Sequence, residues 1–299
     1  MEVSHPDRVI FPAAGLTKAD VVAHYERVGD HMLHFLSGRP LTLQRFPRGI
    51  GAKGFMQKNA GKHFPESIAR HVVPKRDGST TEYAVVTDAK DLAYLANQGT
   101  ITFHMWTATA AEPDTPAWMI LDLDPETEDL DGVRFATNAV RDLLAEFGLH
   151  GFVLATGSKG FHVWVPLDGT TRFTEVSRAT RALAAMAALR HPEQLTIEFL
   201  KKNRRGRVFV DWLRNTGIAT VVAPFSLRPR ANAPVAVPVR WEELATAQPD
   251  QWTLTDLGDR LEVDTTHSPQ VLPVDDIIAR AVSLGVDLET PHDRFGRTR

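Results

Sequence analysis

Apolar residues recur at the spacing of an α-helix in three long segments of the chain, and a fourth, shorter segment also favours a helix. Thr17 and Thr174 are suitable N-cap residues for two of these segments, and Gly148 stands where a left-handed residue would close a third. The pattern predicts helices that pack one apolar face on a core. The four predicted helices span residues 16–36, 89–98, 132–147 and 174–190.

Short runs rich in β-branched and aromatic residues lie between these helices. Two of the runs, residues 152–156 and 161–165, are separated only by the glycine-bracketed turn GSKG at residues 157–160. A turn this tight joins antiparallel strands, because a parallel crossover needs a much longer connection. The order of strands and helices therefore predicts an α+β fold with a mainly antiparallel sheet. The other predicted strands span residues 41–46, 82–87, 100–106, 117–123, 207–212 and 219–226.

The composition narrows the class of protein. Of the 299 residues, 43% are hydrophobic and 24% are charged, as in an ordinary globular chain. No apolar run approaches the ~18 residues that cross a bilayer, and the N-terminus lacks a secretion signal, so we expect a soluble protein without membrane contact. The absence of cysteine excludes disulfides, thiolate metal sites and cysteine nucleophiles, and it fits the reducing cytoplasm. Any metal must be held by oxygen or imidazole.

We find no internal repeat and no Gly/Ser linker, so the sequence predicts one domain built from three consecutive parts. Residues 1–99 form an N-terminal α/β module, and residues 100–240 form a core with the residues that could carry chemistry. Residues 241–299 are acidic, and we expect them to form a helical appendage.

Charge is unevenly distributed along the chain, although the net charge is only −3. Residues 201–240 contain nine Lys or Arg against one acid, Asp211, whereas residues 111–150 contain ten acids against two Arg. Such segregation can build a local field of one sign even when the total is near zero. The alternative for each run is a solvent-exposed face without a specific role. The single acid within the basic block favours a functional role for that block.

Asp122 and Asp124 are the sharpest local feature. Alternate side chains of a strand share a face, so two carboxylates leave an otherwise apolar strand side by side. Neighbouring carboxylates raise each other's pKa or require a cation between them, and hard divalent ions accept such ligands. Asp211, in a separate predicted strand among the cations, could complete a phosphoryl-transfer site of the two-metal kind. The alternatives are a strand-ending turn at Asp124 and a salt bridge at Asp211.

Two further groups could bind phosphates. The GSKG turn at residues 157–160 offers backbone N–H groups, Lys159 and the nearby His162, although an ordinary hairpin turn is the simpler interpretation. Arg228 and Arg230 alternate as strand residues do, and such arginines can contact a triphosphate in bidentate fashion.

These motifs, in this order, resemble the polymerase domain of bacterial ligase D, a branch of the archaeo-eukaryotic primase superfamily known as primase-polymerases. The resemblance covers roughly residues 5–262 and rests on HPDRVIFP, QRFPRGIGAKGFMQKN, WMILDLDP, TGSKGFHVWVPL, VFVDWLRN and SLRPR. It implies an RRM-like catalytic sheet flanked by helices and fused to the smaller N-terminal module. Because no ligase or nuclease module follows before Arg299, we expect a stand-alone enzyme, unless the sequence is a domain excised from a longer protein.

The resemblance implies a role for individual residues. The catalytic metal ligands would be Asp122, Asp124 and Asp211, holding two Mn²⁺ or Mg²⁺ ions per site. The nucleotide site would be lined by His104, Thr156, Ser158, Lys159, His162, Arg214, Arg228 and Arg230. DNA would be contacted by Arg8 and Lys18 at a downstream 5′-phosphate, by Phe55 and Met56 at a templating base, and by the neighbouring Arg45 and Lys53.

The chain departs from the family pattern at three positions. Gln44 stands where a basic residue is common, Met56 replaces an aromatic residue, and Gly217 stands where related motifs carry arginine. We therefore expect weaker stacking on the template and fewer phosphate contacts at these positions.

The sequence predicts a template-directed, DNA-dependent nucleotidyltransferase that fills gaps in DNA break or short-gap repair. The resemblance also implies a preference for ribonucleotides, although the residues themselves show no sensor for a 2′-hydroxyl. Its partners would be gapped or broken DNA with a 5′-phosphate, nucleoside triphosphates, and a separate DNA ligase and end-binding protein. The expected location is the cytoplasm, in association with the nucleoid. Two alternatives remain: a two-metal phosphoesterase or nuclease, and a non-catalytic module that binds DNA ends.

Overall fold

The computed structural model describes residues 2–288, and the chain divides into two compact units. The first unit contains the residues up to Ala111 together with Thr220–Val237 and Asp250–Glu262. The second contains Glu112–Ala219, Pro238–Pro249 and the residues from Val263 onward. Both units are discontinuous in sequence, whereas the three parts predicted from the sequence are consecutive. The end of the predicted appendage, residues 289–299, lies outside the described residues.

Every helix and strand predicted from the sequence is present, most with shifted ends, and the structure adds several short elements that the sequence pattern did not predict. In the N-terminal part of the chain the helices and strands are β1 (Val9–Phe11), β2 (Leu16–Thr17), α1 (Lys18–Leu36), β3 (Pro40–Arg45), β4 (Phe55–Gln57), β5 (Ala69–Pro74), β6 (Thr80–Val85), α2 (Ala89–Asn97) and β7 (Thr100–Trp106). They continue with β8 (Trp118–Asp124), α3 (Leu130–Ala145), β9 (Phe152–Ala155), β10 (Phe161–Pro166), α4 (Phe173–Arg190), β11 (Leu195–Thr196), α5 (Lys201–Arg204), β12 (Val208–Asp211), β13 (Thr220–Val222), β14 (Val237–Val239) and α6 (Val274–Ser283).

The first unit is built on a sheet with the order β13-β7-β3-β6-β5, in which β4 also pairs with β3. Helix α1 begins with the capping box that Thr17 predicts, since the Asp20 amide donates to the Thr17 hydroxyl and the Thr17 amide donates to the Asp20 carboxylate. Its apolar face, including Tyr25 and Met32, is fully buried. Burial of this face holds the helix in place.

The second unit is built on a sheet with the order β11-β12-β8-β10-β9-β14. Strand β8 pairs antiparallel with both β10 and β12. The short β11 runs parallel to its neighbour β12. Helices α3 and α4 pack on this sheet and bury apolar side chains such as Val133 and Met186 against it. The α+β fold with mainly antiparallel sheets, predicted from the sequence, is confirmed.

The structure differs from the sequence pattern at two helices. Helix α4 begins at Phe173 with Arg172 as its N-cap, so the prediction of Thr174 as the cap is wrong. The Arg172 amide donates to the Glu175 carboxylate, which satisfies the start of the helix without a hydroxyl. After Asp250 most of the described chain is irregular backbone, and α6 is the single α-helix of this segment. None of the helices within residues 2–288 is long and apolar enough to cross a lipid bilayer.

Gly160 allows β10 to approach β8 closely beside the candidate site. A Cβ atom added at Gly160 would lie 2.0 Å from the backbone oxygen of Leu123. We therefore expect Gly160→Ala to reduce the free energy of unfolding by about 2 kcal/mol, because the strands must separate. Urea denaturation measures the effect. Gly217→Ala is the matched control, since its added Cβ would meet only a Phe173 side-chain atom at 3.7 Å. Equal stability of the two variants would contradict the prediction.

Candidate active site

Two carboxylates face each other across the centre of the second unit's sheet. Strand β12 pairs with β8 in a register that sets Asp211 directly opposite Asp122 and Phe209 opposite Asp124. Ile120, Asp122 and Asp124 alternate with buried apolar residues along β8, as the sequence pattern predicts. Directly opposed side chains of neighbouring antiparallel strands lie about 5 Å apart at Cβ, so the pairing brings Asp122 and Asp211 together.

Arg214 joins the two carboxylates. Its Nε atom lies 3.1 Å from Oδ2 of Asp122 and 3.3 Å from Oδ2 of Asp211. Burial together with the charge of Asp122 raises the pKa of Asp211 to about 6, although Arg214 opposes this change. Burial would also raise the pKa of Asp122, but His162 and Arg214 outweigh it and hold that pKa below its ordinary value. Because a single guanidinium lies against two carboxylates, the pair formed by Asp122 and Asp211 carries more negative charge than Arg214 neutralises.

His162 approaches Asp122 from the other side. It lies on β10 directly opposite Asp122, and its Nε2 atom is 3.4 Å from Oδ1 of that carboxylate. The imidazole is almost fully buried, and its Nδ1 atom has no hydrogen-bond partner among the described residues. A buried ring nitrogen without a partner is uncommon in a structural histidine.

Asp124 is held differently, by a residue that the sequence did not single out. The NH1 group of Arg204 donates to Oδ2 of Asp124 at 3.0 Å. Arg204 is itself buried, stacks on the ring of Phe209 and donates to the backbone oxygens of Glu198 and Phe199. Its place in the basic block was the only sequence signal, and the block does not distinguish Arg204 from its exposed neighbours.

The donors in this cluster suit hard divalent cations, which prefer carboxylate oxygen. Within residues 2–288, however, no group of three acidic or imidazole side chains is arranged as a preformed metal site. The reason is visible in the ion pairs: Arg214 lies against Asp122 and Asp211, and Arg204 holds Asp124. The two opposed carboxylates and their excess negative charge fit a divalent cation.

The GSKG turn lies at the start of β10 in the same unit. The Thr156 amide and hydroxyl both donate to the Gly160 backbone oxygen, which closes the turn. Ser158 is half-buried, whereas Lys159 is exposed and lies 3.8 Å from a carboxylate oxygen of Glu128. The Gly157 amide donates to the Pro249 oxygen. The expectation that glycine amides bind an anion therefore does not hold for Gly157, because its N–H group is already used.

The remaining predicted nucleotide ligands belong to the first unit. His104 is half-buried on β7, opposite Thr42 of β3 and Val222 of β13. Arg228 and Arg230 do not alternate along a strand as the sequence predicts. Beyond the β-bridge at Leu227 the chain turns, and the Arg230 amide donates to the Arg228 oxygen. Pro229 explains the turn, because proline cannot donate to a strand partner. Arg230 also lies 3.9 Å from Asp250.

Arg8 and Lys18 line one cavity of about 210 Å³ in the first unit, together with Arg45 and Ser4. Arg8 is exposed and donates to the Pro47 oxygen, whereas Lys18 is buried and donates to the backbone and side-chain oxygens of Ser4. Burial and the charge of Arg8 lower the pKa of Lys18. Among the described residues, no acidic side chain lines this cavity. The positive charge of the side chains that line this cavity suits an anionic ligand.

The other predicted DNA contacts also belong to the first unit. Phe55 and Met56 lie on β4, and each is about half exposed (49%), which is unusual for large apolar side chains. The guanidinium of Arg45 lies 5.5 Å from the centre of the Phe55 ring and donates to the Gln98 backbone. Lys53 is exposed in the preceding loop. Accessible apolar faces beside cations are typical of surfaces that stack on bases.

Comparison with known proteins extends these observations. Residues 17–267 match the family model described as LigD, primase-polymerase domain. The chain is 36% identical over 259 residues to the multifunctional non-homologous end joining protein LigD of Mycobacterium bovis, covering 81% of this chain and 33% of that protein. It is 36% identical over 265 residues to the corresponding Pseudomonas aeruginosa protein, covering 88% and 31%. The chain thus spans about a third of these relatives.

A solved structure agrees with the sequence relatives. The polymerase domain of Mycobacterium tuberculosis ligase D in complex with DNA superposes with a TM-score of 0.79 at 31% identity, covering 95% of this chain and 94% of that one. The family match and the fold therefore place the chain in the primase-polymerase class of nucleotidyltransferases. The chain belongs to the family of LigD primase-polymerase domains. The resemblance inferred from the motifs is confirmed.

Proposed function

We propose that this domain is a template-directed polymerase that fills short gaps at broken DNA, using two Mn²⁺ or Mg²⁺ ions held by Asp122, Asp124 and Asp211. The observation that carries the proposal is the opposition of Asp122 and Asp211, with Arg214 and His162 against them. This arrangement concentrates carboxylates and cations in one place, as transfer of a nucleotidyl group requires.

The residues of the second unit have different roles in the proposed reaction. Divalent ions, when bound, would activate the primer 3′-hydroxyl and stabilise the leaving pyrophosphate. Asp122 and Asp211 supply the negative charge that binds such ions, and His162 and Arg214 donate to the triphosphate. Thr156, Ser158 and Lys159 border the same strand, and we assign them to the nucleotide. The assignment of His104, Arg228 and Arg230 to the nucleotide rests on the family likeness alone.

Two observations support gapped DNA as the substrate: the residues on the surface of the first unit and the names of the relatives. The cavity of Arg8 and Lys18 suits the 5′-phosphate at the far side of a gap, and Phe55 with Met56 suits an unpaired template base, with Arg45 and Lys53 beside them. The relatives are named as non-homologous end joining proteins, so we place the domain in repair of DNA breaks, in the cytoplasm with the nucleoid. A preference for ribonucleotides and cooperation with a DNA ligase and an end-binding protein rest on the family likeness.

The test is extension of a labelled primer on a gapped duplex, in Mn²⁺ or Mg²⁺, with ribonucleotides or deoxyribonucleotides supplied separately. We expect template-dependent lengthening, faster with ribonucleotides. Shortening of the primer would instead support the phosphoesterase or nuclease alternative. Binding of the duplex without any change of primer length would support the non-catalytic DNA-end module.

Arg8→Ala should weaken recognition of the gap. One lost ionic hydrogen bond to a phosphate costs about 1.5 kcal/mol, or roughly tenfold in affinity. We therefore expect about a tenfold smaller advantage of a 5′-phosphorylated gap over an unphosphorylated one, measured as the ratio of extension rates. Lys90→Ala, which removes an exposed cation elsewhere in the first unit, is the control. An unchanged ratio in Arg8→Ala would show that the cavity does not hold the phosphate.

A further inference from the structure

Asn215 occupies an unusual place beside the candidate site. Its side chain is completely buried in the second unit. The Ile120 amide donates to Oδ1 of Asn215 at 2.8 Å, and Nδ2 of Asn215 donates back to the Ile120 oxygen at 2.7 Å. Nδ2 also donates to the Trp212 oxygen at 2.9 Å. One amide side chain thus satisfies three buried backbone groups.

The arrangement continues the sheet beyond the end of a strand. Strand β12 pairs with β8 only from Asp122 to Asp124, because the chain turns away after Asp211. The backbone of Ile120 would be left without a partner on that side. In an antiparallel sheet, two opposed residues exchange an N–H and a C=O in both directions, and the Asn215 amide reproduces that exchange with Ile120.

The turn between these two anchors carries Arg214. At one end Asp211 lies opposite Asp122, and its Oδ1 atom accepts from the Leu213 amide at 2.8 Å. At the other end Asn215 is fixed to Ile120. Arg214 is the residue next to this anchor, and its guanidinium reaches back to Asp122 and Asp211. With both ends attached to β8, the turn fixes the backbone position from which the partly exposed Arg214 side chain reaches the carboxylates and can reach a nucleotide bound beside them.

The geometry points to Asn215 as a positioning residue that sets Arg214 for the nucleotide triphosphate. This inference rests on the proposed function, in which Arg214 donates to the phosphates. Asn215 itself is buried behind the turn and acts only through its neighbour. Loss of the amide should leave Arg214 present but no longer directed at the site, so it should weaken nucleotide binding nearly as much as loss of Arg214 itself.

A double-mutant cycle tests the coupling. Affinity for a fluorescent ribonucleoside triphosphate is measured by anisotropy in the presence of Mn²⁺ for Asn215→Ala, Arg214→Ala and the double variant. We expect about a tenfold loss for each single variant, as for a lost ionic hydrogen bond, and no further loss in the double variant. A purely structural role predicts that the two losses multiply, which would overturn the inference.

Further variants distinguish the expected coupling from general instability and from failure of the proposed function. Thr180→Val removes another fully buried side-chain hydrogen bond, from the Thr180 hydroxyl to the Val176 oxygen in α4, and should leave nucleotide affinity unchanged. An equal loss in Thr180→Val would overturn the inference. If Asn215→Ala does not fold, Asn215→Ser, which provides a small hydroxyl that can donate or accept in this buried position, replaces it in the cycle. Unchanged affinity in Arg214→Ala would refute the role of Arg214 itself, whereas a loss in Arg214→Ala alone would refute only the role of Asn215.

Discussion

Asp211→Asn is expected to reduce nucleotide incorporation by about 1,000-fold or more, which corresponds to about 4 kcal/mol of lost transition-state stabilisation. The substitution keeps the shape of the side chain and an oxygen that can accept from the Leu213 amide. It removes the negative charge opposite Asp122, which the proposed divalent ions require. Single-turnover extension of a primed, gapped duplex measures the rate.

The matched control for Asp211→Asn is Asp142→Asn, which changes an exposed carboxylate of α3 paired with Arg141. We expect its rate to equal that of the unmodified protein. Thermal unfolding of both variants should show that Asp211→Asn remains folded, since burial already disfavours the charge at this position. Incorporation at the normal rate by folded Asp211→Asn would exclude the site as the reaction centre.

Much of the fold could be predicted because local and long-range preferences agree. In α1 the spacing of apolar residues, the Thr17 cap and the Gly38 just beyond the end all indicate the same helix, and the structure confirms it. At α4 the local signal was misleading. A threonine at 174 is a good cap, but the helix begins two residues earlier, where the side chain of Glu175 accepts from the Arg172 amide, and sequence alone does not rank the two.

The candidate site could be predicted in part. Alternation along β8 identifies Asp122 and Asp124 as neighbours on one face, and the lone acid in the basic block identifies Asp211. The partners that hold these carboxylates could not be found in the same way. Arg204 resembles the other cations of its segment, and Asn215 acts through hydrogen bonds to the backbone of a strand far away in the chain. Such contacts depend on the register between strands, which no local pattern encodes.

His24 is expected to make the stability of the first unit depend on pH. The imidazole is 2% exposed in α1, and its Nε2 atom lies 2.9 Å from the Phe225 oxygen, to which it donates. Its Nδ1 atom is buried without a partner among the described residues. Burial, reinforced by the charge of Arg27, lowers the pKa of His24 to about 4, although the bond to Phe225 opposes this. The folded protein therefore holds this imidazole neutral.

The unfolded chain binds a proton at His24 below about pH 6.5, whereas the folded protein resists it until about pH 4. Stability should therefore be complete above pH 6.5 and fall as the pH decreases, by about 2 kcal/mol at pH 5 and about 3 kcal/mol near pH 4. Urea denaturation of His24→Gln, which cannot take up the proton, should show a correspondingly weaker loss between pH 7.5 and pH 5. His34→Gln, an exposed histidine on the same helix, should retain the full pH dependence of the unmodified protein. An identical pH dependence in both variants would mean that His24 is not the group responsible.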